Sequence, residues 1–136
     1  MKTPAPPRHF RPALTLLEMT IVLMVLITLT GLGFVSSKKM NEWKLGRAAA
    51  ETVRSVYTAQ RMYLADNPTA SVAALTSTQL IPYLPNSSGA MPTVKSLTGA
   101  TLSILVNVSP PFINAGSGIR YDPSGSFTDS LWDVGE

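Results

Sequence analysis

The chain has 136 residues, 45% of them hydrophobic and 14% charged, which is room for one domain. It contains no cysteine and a single histidine, so disulfide bonds, thiol nucleophiles, cysteine-based metal sites and sites built from several histidines are excluded. The net charge at pH 7 is a modest +3, and because these absences remove most enzyme classes, we expect no enzymatic activity.

The first 13 residues account for the whole excess of positive charge. They contain Lys2, Arg8 and Arg11 and no acidic residue, whereas acidic and basic side chains balance over the remainder of the chain. The basic character therefore belongs to a short N-terminal segment, and it is weak evidence for nucleic-acid binding by the rest of the protein.

A long apolar run follows, from Ala13 to Val35, with Glu18 as its only charged residue. A helix of about 20 apolar residues crosses the hydrocarbon layer of a bilayer, so this run predicts a transmembrane helix over 14–37. The run is longer than the apolar part of a secretory signal peptide, and no cleavage site of the A-x-A type follows it. Basic residues flank both ends of the run, so charge alone does not orient it.

Glu18 is the unusual residue of this segment. An acidic side chain at the centre of a membrane helix costs about 2.5 to 3.5 kcal/mol, and less near the end. A buried carboxylate needs a cationic partner, and the segment itself provides none. Two simpler interpretations stay open: the segment is an ordinary single-pass anchor, or the Glu18 side chain reaches the water at the interface.

The helical pattern continues beyond the apolar run to Pro68, which predicts a second, amphipathic half over 38–66. Spacings of three and four residues predict one apolar stripe made of Met40, Trp43, Ala50, Val53, Tyr57 and Leu64. The opposite face is polar and consists of Arg47, Glu51, Arg54, Thr58 and Arg61. Gly31 and Gly33 lower the helix propensity by up to about 1 kcal/mol each, so a bend or a melted stretch is expected there.

The sequence pattern over 67–136 predicts a connector followed by a small antiparallel sheet. Thr76 and Gln79 have the spacing of a helix capping box. The alternation over 101–108 predicts a strand with Leu102, Ile104, Val106 and Val108 on one face. The segments 119–121 and 126–128 flank a turn sequence at 122–125 and predict a hairpin. The expected fold is α+β, with this sheet packed on the stripe from Trp43 to Leu64.

The stretch Leu14-Thr15-Leu16-Leu17-Glu18, preceded by Arg8 and Arg11, resembles the class III signal peptide of type IV pilins and of the pseudopilins of type II secretion and competence systems. The resemblance covers residues 8–66 and includes the string from Tyr63 to Pro68 at the end of the long helix. The family usually has glycine before the cleavage point and phenylalanine after it, where this chain has Ala13 and Leu14.

This resemblance implies a leader peptide over 1–13, which a prepilin peptidase removes by cutting between Ala13 and Leu14, and N-methylation of the new Leu14 amine. It also implies a single-pass protein of the inner membrane with its N-terminus in the cytoplasm and its head in the periplasm. The implied fold is the pilin-like lollipop, a long N-terminal helix with a small antiparallel sheet.

The implied function is structural and has no catalytic residues. An assembly platform in the inner membrane would polymerise the subunit with copies of itself and with other pilin-like subunits, giving a filament that spans the periplasm or reaches the surface. The Leu14 ammonium and Glu18 would pair, within a chain or between neighbours, and so set the register of assembly.

Among these systems we favour type II secretion, because the head is short and lacks the cysteine pair frequent in adhesive pilins. An adhesive type IV pilin and a competence pseudopilin stay open as alternatives. Competence would need an accessible basic patch for DNA, and we expect the arginine face to be solvated or packed against acidic neighbours instead.

The resemblance makes calcium a candidate cofactor, because many major pseudopilins hold it in an acidic C-terminal loop. The candidates are Asp122, Asp129 and Asp133, but their spacing does not match a calcium loop of the D-x-[DN]-x-[DN]-G type. Turn formation is a sufficient role for Asp122. We therefore expect no cofactor.

Overall fold

The structure is a computed structural model that describes residues 13–85, 89–126 and 128–135, without the side chains of residues 13, 14, 34 and 35. The predicted leader, residues 1–13, lies outside the described residues except for the backbone of Ala13. The chain divides into two compact units, the first ending at Lys39 and the second beginning at Met40. The described elements form an α+β fold, as predicted, with one long helix and a small antiparallel sheet.

Helix α1 runs over Ala13–Asp66. It ends where the sequence predicts, because Pro68 disfavours a helical conformation at the residue before it. At this end both the backbone and the side-chain amide of Asn67 donate to the carbonyl of Tyr63, at 2.9 and 3.0 Å. The melted stretch expected at Gly31 and Gly33 is absent, and the helix is continuous there. The propensity cost of two glycines is small beside the cooperativity of a helix this long.

The apolar stripe of α1 is buried only from Gly46 onward. Its fully buried members are small or branched residues, Ala49, Ala50, Val53, Val56 and Ala59. The prediction for the first turns of the stripe was wrong, because Met40 is 52% exposed and Trp43 is 48% exposed. The part of the chain that follows α1, called the head from here on, covers the helix only from Gly46. Tyr57 and Leu64 are half-buried, and the predicted polar face is exposed at each of its five positions.

Three short helical segments connect α1 to the sheet, a 3-10 turn at Val72–Ala74, helix α2 at Ser77–Leu80 and a 3-10 turn at Ile81–Tyr83. The predicted capping box opens α2, where the Thr76 amide donates to Oε1 of Gln79 at 2.9 Å. This cap satisfies an amide that the first turn would otherwise leave unpaired. Leu80, the last residue of α2, is completely buried in the core.

The sheet contains three antiparallel strands in the order β1-β2-β3, at Val94–Lys95, Thr101–Leu105 and Phe112–Asn114. The predicted strand over 101–108 is therefore three residues too long. Its alternation is correct, because Ile104 and Val106 are both buried. Ile104 lies opposite Ile113 in the register of β2 and β3, and both side chains enter the core.

Gln60 of α1 bonds to the chain just beyond the end of β2. Its side-chain amide is completely buried and donates to the carbonyls of Val106 and Val108, both at 2.8 Å. These carbonyls therefore bond to the helix and not to a neighbouring strand. Oε1 of Gln60 has no hydrogen-bond partner among the described residues. This bridge joins the helix to the chain beyond β2.

The predicted hairpin of 119–121 with 126–128 is wrong. Residues 119–121 return instead along β3: Ala115 donates to Ile119 at 2.8 Å, and Tyr121 donates to Ile113 at 2.8 Å. A bridge pairs Asn114 with Arg120. The turn at 122–125 does form, with the Gly125 amide 3.4 Å from the Asp122 carbonyl, but Phe127 in the predicted second strand lies outside the described residues.

The C-terminal segment folds onto α1 at Gly46. Trp132 is 4% exposed, its amide donates to the Gly46 carbonyl at 3.1 Å, and its ring meets Tyr121 edge to face at 5.3 Å. A β-carbon at Gly46 would lie only 2.7 Å from the indole nitrogen of Trp132. Nε of Arg54 donates to the Val134 carbonyl at 2.6 Å. Glycine at position 46 therefore lets the C-terminal segment reach the helix.

Candidate functional site

The first unit of the chain presents an apolar helix surface. Among the described residues, one helix, α1, is long and apolar enough to cross a membrane, judged by its length and composition. None of the side chains in its apolar window is buried within the structure. The twelve large apolar side chains exposed on this part of the helix, from Leu16 to Leu32, need a covering that the described residues do not provide. A lipid bilayer meets that need.

Four hydroxyl groups in and just after this apolar stretch donate hydrogen bonds within the helix. Oγ1 of Thr20 donates to the Leu17 carbonyl at 2.8 Å, and Oγ1 of Thr28 donates to the Val25 carbonyl at 2.8 Å. Thr30 and Ser37 bond to preceding carbonyls in the same way. These side chains therefore present no unpaired polar group to an apolar surrounding.

Glu18 is different from these hydroxyl groups. Its side chain is exposed and has no ion pair or hydrogen bond among the residues that the structure describes. It lies in the second turn of α1, which begins at Ala13. Leu14, four residues earlier, occupies the same face of the helix one turn away, although its side chain is not described. The backbone thus places Leu14, the residue after the predicted cleavage point, about one turn from the single carboxylate of the apolar run.

The three C-terminal aspartates each close a turn of their own. Oδ1 of Asp122 accepts from the Ser124 amide at 3.1 Å and from its hydroxyl at 2.6 Å. Asp129 accepts from the Leu131 amide at 3.0 Å, and Asp133 accepts from the Gly135 amide at 2.9 Å. No group of three or more histidine, aspartate or glutamate side chains in the described part of the chain is arranged to hold a metal ion.

Asp133 is the buried member of this set, with 8% of its surface exposed. Burial raises its pKa above the usual value, the hydrogen bond from Gly135 lowers it, and the nearby negative charges of Asp122 and Asp129 raise it further. The C-terminal segment therefore holds a carboxyl group that binds its proton more tightly in the folded protein.

The arginines of the polar face have partners in their own chain. Arg47 forms an ion pair with Glu51 at 3.6 Å and lies over the Trp43 ring at 5.5 Å. Arg61 lies over the Tyr57 ring at 5.9 Å. Arg54, as described above, holds the C-terminal segment. These contacts give the arginines structural roles within the chain.

No family model, curated protein or solved structure matches this chain.

Proposed function

We propose that this chain is a subunit of a type IV pilin-like filament, cut between Ala13 and Leu14 and polymerised through α1. The observation behind this proposal is Glu18: an exposed carboxylate without a partner among the described residues, in a helix otherwise apolar enough to cross a membrane, one turn from Leu14. A membrane helix inserts more favourably without such a charge, so its presence calls for a role outside insertion.

Cleavage before Leu14 supplies the missing counter-charge. The new α-amino group has a pKa of about 7.7 to 8.0 in water, so at neutral pH most of it is an ammonium ion. When apolar helices pack together, this ammonium and the Glu18 carboxylate are both withdrawn from water. Each is then stabilised by the other, and a pair between neighbouring subunits sets their axial register.

The chain as a whole suits such a subunit. Its single long helix continues from the apolar stretch into a small head, whose core is built directly on α1 from Gly46 onward. Before assembly the subunit resides in the inner membrane with its head in the periplasm, and a prepilin peptidase and an assembly platform act on it there. The absence of cysteine favours a type II secretion pseudopilin over an adhesive pilin.

The test is the yield of filaments from Glu18 variants in cells with a type II secretion system and an active prepilin peptidase. Glu18→Gln keeps the size of the side chain and removes its charge. We expect it to insert and to be cleaved like the wild type, but to enter sheared or sedimentable filaments poorly, because each added subunit loses about 3 to 5 kcal/mol with a broken buried pair. Glu18→Asp keeps the charge with a shorter reach, and we expect partial assembly.

Glu42→Gln is the matched control, since Glu42 is an exposed carboxylate on the same helix beyond the apolar stretch. It should assemble like the wild type. A wild-type filament yield from Glu18→Gln, normalised to the cleaved subunit in the membrane, would overturn the role proposed for this carboxylate.

A further inference from the structure

The apolar stripe of α1 extends beyond the part that the head covers. Gly46 and Ala50 are buried under the head, whereas Trp43, on the same stripe, is 48% exposed. Met40, one turn earlier, is 52% exposed. An exposed tryptophan next to an exposed methionine is an unusual surface for water to contact. About half of each side chain is left uncovered by the described part of the chain.

The position of Trp43 along the helix indicates what covers it. If Glu18 marks one edge of the hydrocarbon layer, the span of about 20 residues that follows ends near Lys38. Met40 and Trp43 lie two and five residues further, which is about 3 and 7.5 Å at 1.5 Å per residue. The polar layer on each side of a bilayer is roughly 5 to 7.5 Å thick, so Met40 falls within this layer and Trp43 at its outer edge.

The chemistry around Trp43 matches that layer. Tryptophan is enriched at membrane interfaces because its ring is apolar while its N–H can bond to water or to a headgroup. The exposed side chains of Lys38, Lys39 and Lys44 flank it in sequence, and their long stems let the ammonium groups reach lipid phosphates. The Arg47 guanidinium lies over the indole ring at 5.5 Å, a cation–π contact that orients the ring.

We propose that the Met40–Arg47 turns of α1 form an interfacial anchor, in which Trp43 and Met40 lie in the headgroup layer of the membrane and the neighbouring lysines bind anionic lipid phosphates. The anchor fixes the depth at which this part of α1 leaves the membrane. It depends on α1 spanning a membrane and not on filament assembly, so the test below and the filament test can fail independently.

The test is quenching of tryptophan fluorescence in the full chain, reconstituted into phosphatidylcholine and phosphatidylglycerol vesicles whose acyl chains are brominated close to the headgroup. Flotation with the vesicles establishes insertion. We expect brominated lipid to remove the Trp43 part of the emission. Trp43→Phe, which leaves only the buried Trp132, should lose the quenched component.

Met62→Trp in the Trp43→Phe background is the control for position. Met62 is 50% exposed on the same helix, about 28 Å beyond Trp43, and a tryptophan there should escape brominated lipid and remain open to aqueous acrylamide. The proposal is overturned if the chain does not float, or if Trp43 is quenched no more than a tryptophan at position 62. It is also overturned if Trp43 is protected from both brominated lipid and acrylamide, since a second copy of the chain would then cover it.

Discussion

Replacing Gly46 by alanine tests the contact that holds the C-terminal segment against α1. The added β-carbon would lie 2.7 Å from the indole nitrogen of Trp132 and 3.2 Å from two of its ring carbons. The ring cannot move away freely, because it packs against Tyr121 and the Trp132 amide is bonded to the Gly46 carbonyl. The backbone of Trp132 also has a φ of 64°, in the left-handed region, which leaves it few alternative conformations.

Two opposing effects decide whether Gly46→Ala stabilises or destabilises the head. Alanine in place of glycine inside a helix stabilises the helix by about 1 kcal/mol. Overpacking a filled site costs about 1 to 3 kcal/mol. We therefore expect Gly46→Ala to lower the free energy of unfolding of the head, by up to about 2 kcal/mol. Gly46→Leu should displace the Trp132 ring and approach the roughly 3 to 5 kcal/mol lost when a buried tryptophan is removed.

The measurement is urea unfolding of the full chain in mild detergent, followed by Trp132 fluorescence in a Trp43→Phe background. Gly31→Ala is the control, because apart from the adjoining residues and the local helix backbone, no described atom lies within 4 Å of a β-carbon built at Gly31. It should leave unfolding of the head unchanged. If Gly46→Ala stabilises the head by the full helix-propensity gain, and Gly46→Leu leaves the Trp132 emission unshifted, then Trp132 does not pack on Gly46 as described.

Two further predictions concern buried polar groups of the head. Gln60→Leu should lower the free energy of unfolding by about 1 to 3 kcal/mol, because the carbonyls of Val106 and Val108 lose their hydrogen-bond donor. The same urea titration measures this change, and an unchanged urea midpoint would contradict the hydrogen bonds from Gln60. The pKa of Asp133 is raised in the folded protein, so its contribution to the free energy of unfolding is fully present below the pKa of an unfolded aspartate and is lost as the pH rises through the pKa in the folded state. Asp133→Asn should therefore flatten the dependence of the unfolding free energy on pH over this range. An unaltered pH dependence would exclude Asp133 as its source.

The sequence predicts best where the signal is local. The end of α1 follows from Asn67-Pro68, and the start of α2 follows from the spacing of Thr76 and Gln79, because each depends on the chemistry of adjacent residues. The buried face of β2 follows from its alternation, with Ile104 on the core side.

The errors arise where tertiary contacts decide. Strand β1 has two residues and β3 has three, too few for a periodic signal. Helical periodicity places Trp43 on the same stripe as Ala50, but it cannot show that the head stops at Gly46. A turn sequence at 122–125 shows that the chain bends there, but not that residues 119–121 pair with β3 instead of with the residues after the turn.

The candidate site, like the fold, can be predicted from the sequence only where the signal is local. The sequence alone singles out Glu18, because one charge in an apolar run is visible without a structure. The structure adds that Glu18 has no partner in the described part of the chain, and that each C-terminal aspartate closes its own turn. The contact of Gly46 with Trp132 joins residues far apart in sequence, and only the glycine inside an amphipathic helix hints at it.

The most direct test of the central claim is the N-terminus of the protein isolated from membranes of cells with an active prepilin peptidase. Intact-mass and N-terminal peptide mass spectrometry should show a chain that begins at Leu14 with a methylated α-amine. Ala13→Gly should be cut at the same place, whereas a bulky Ala13→Trp should stay uncut. A wild-type chain that keeps residues 1–13, or is cut elsewhere, would contradict the account and leave α1 as a plain membrane anchor.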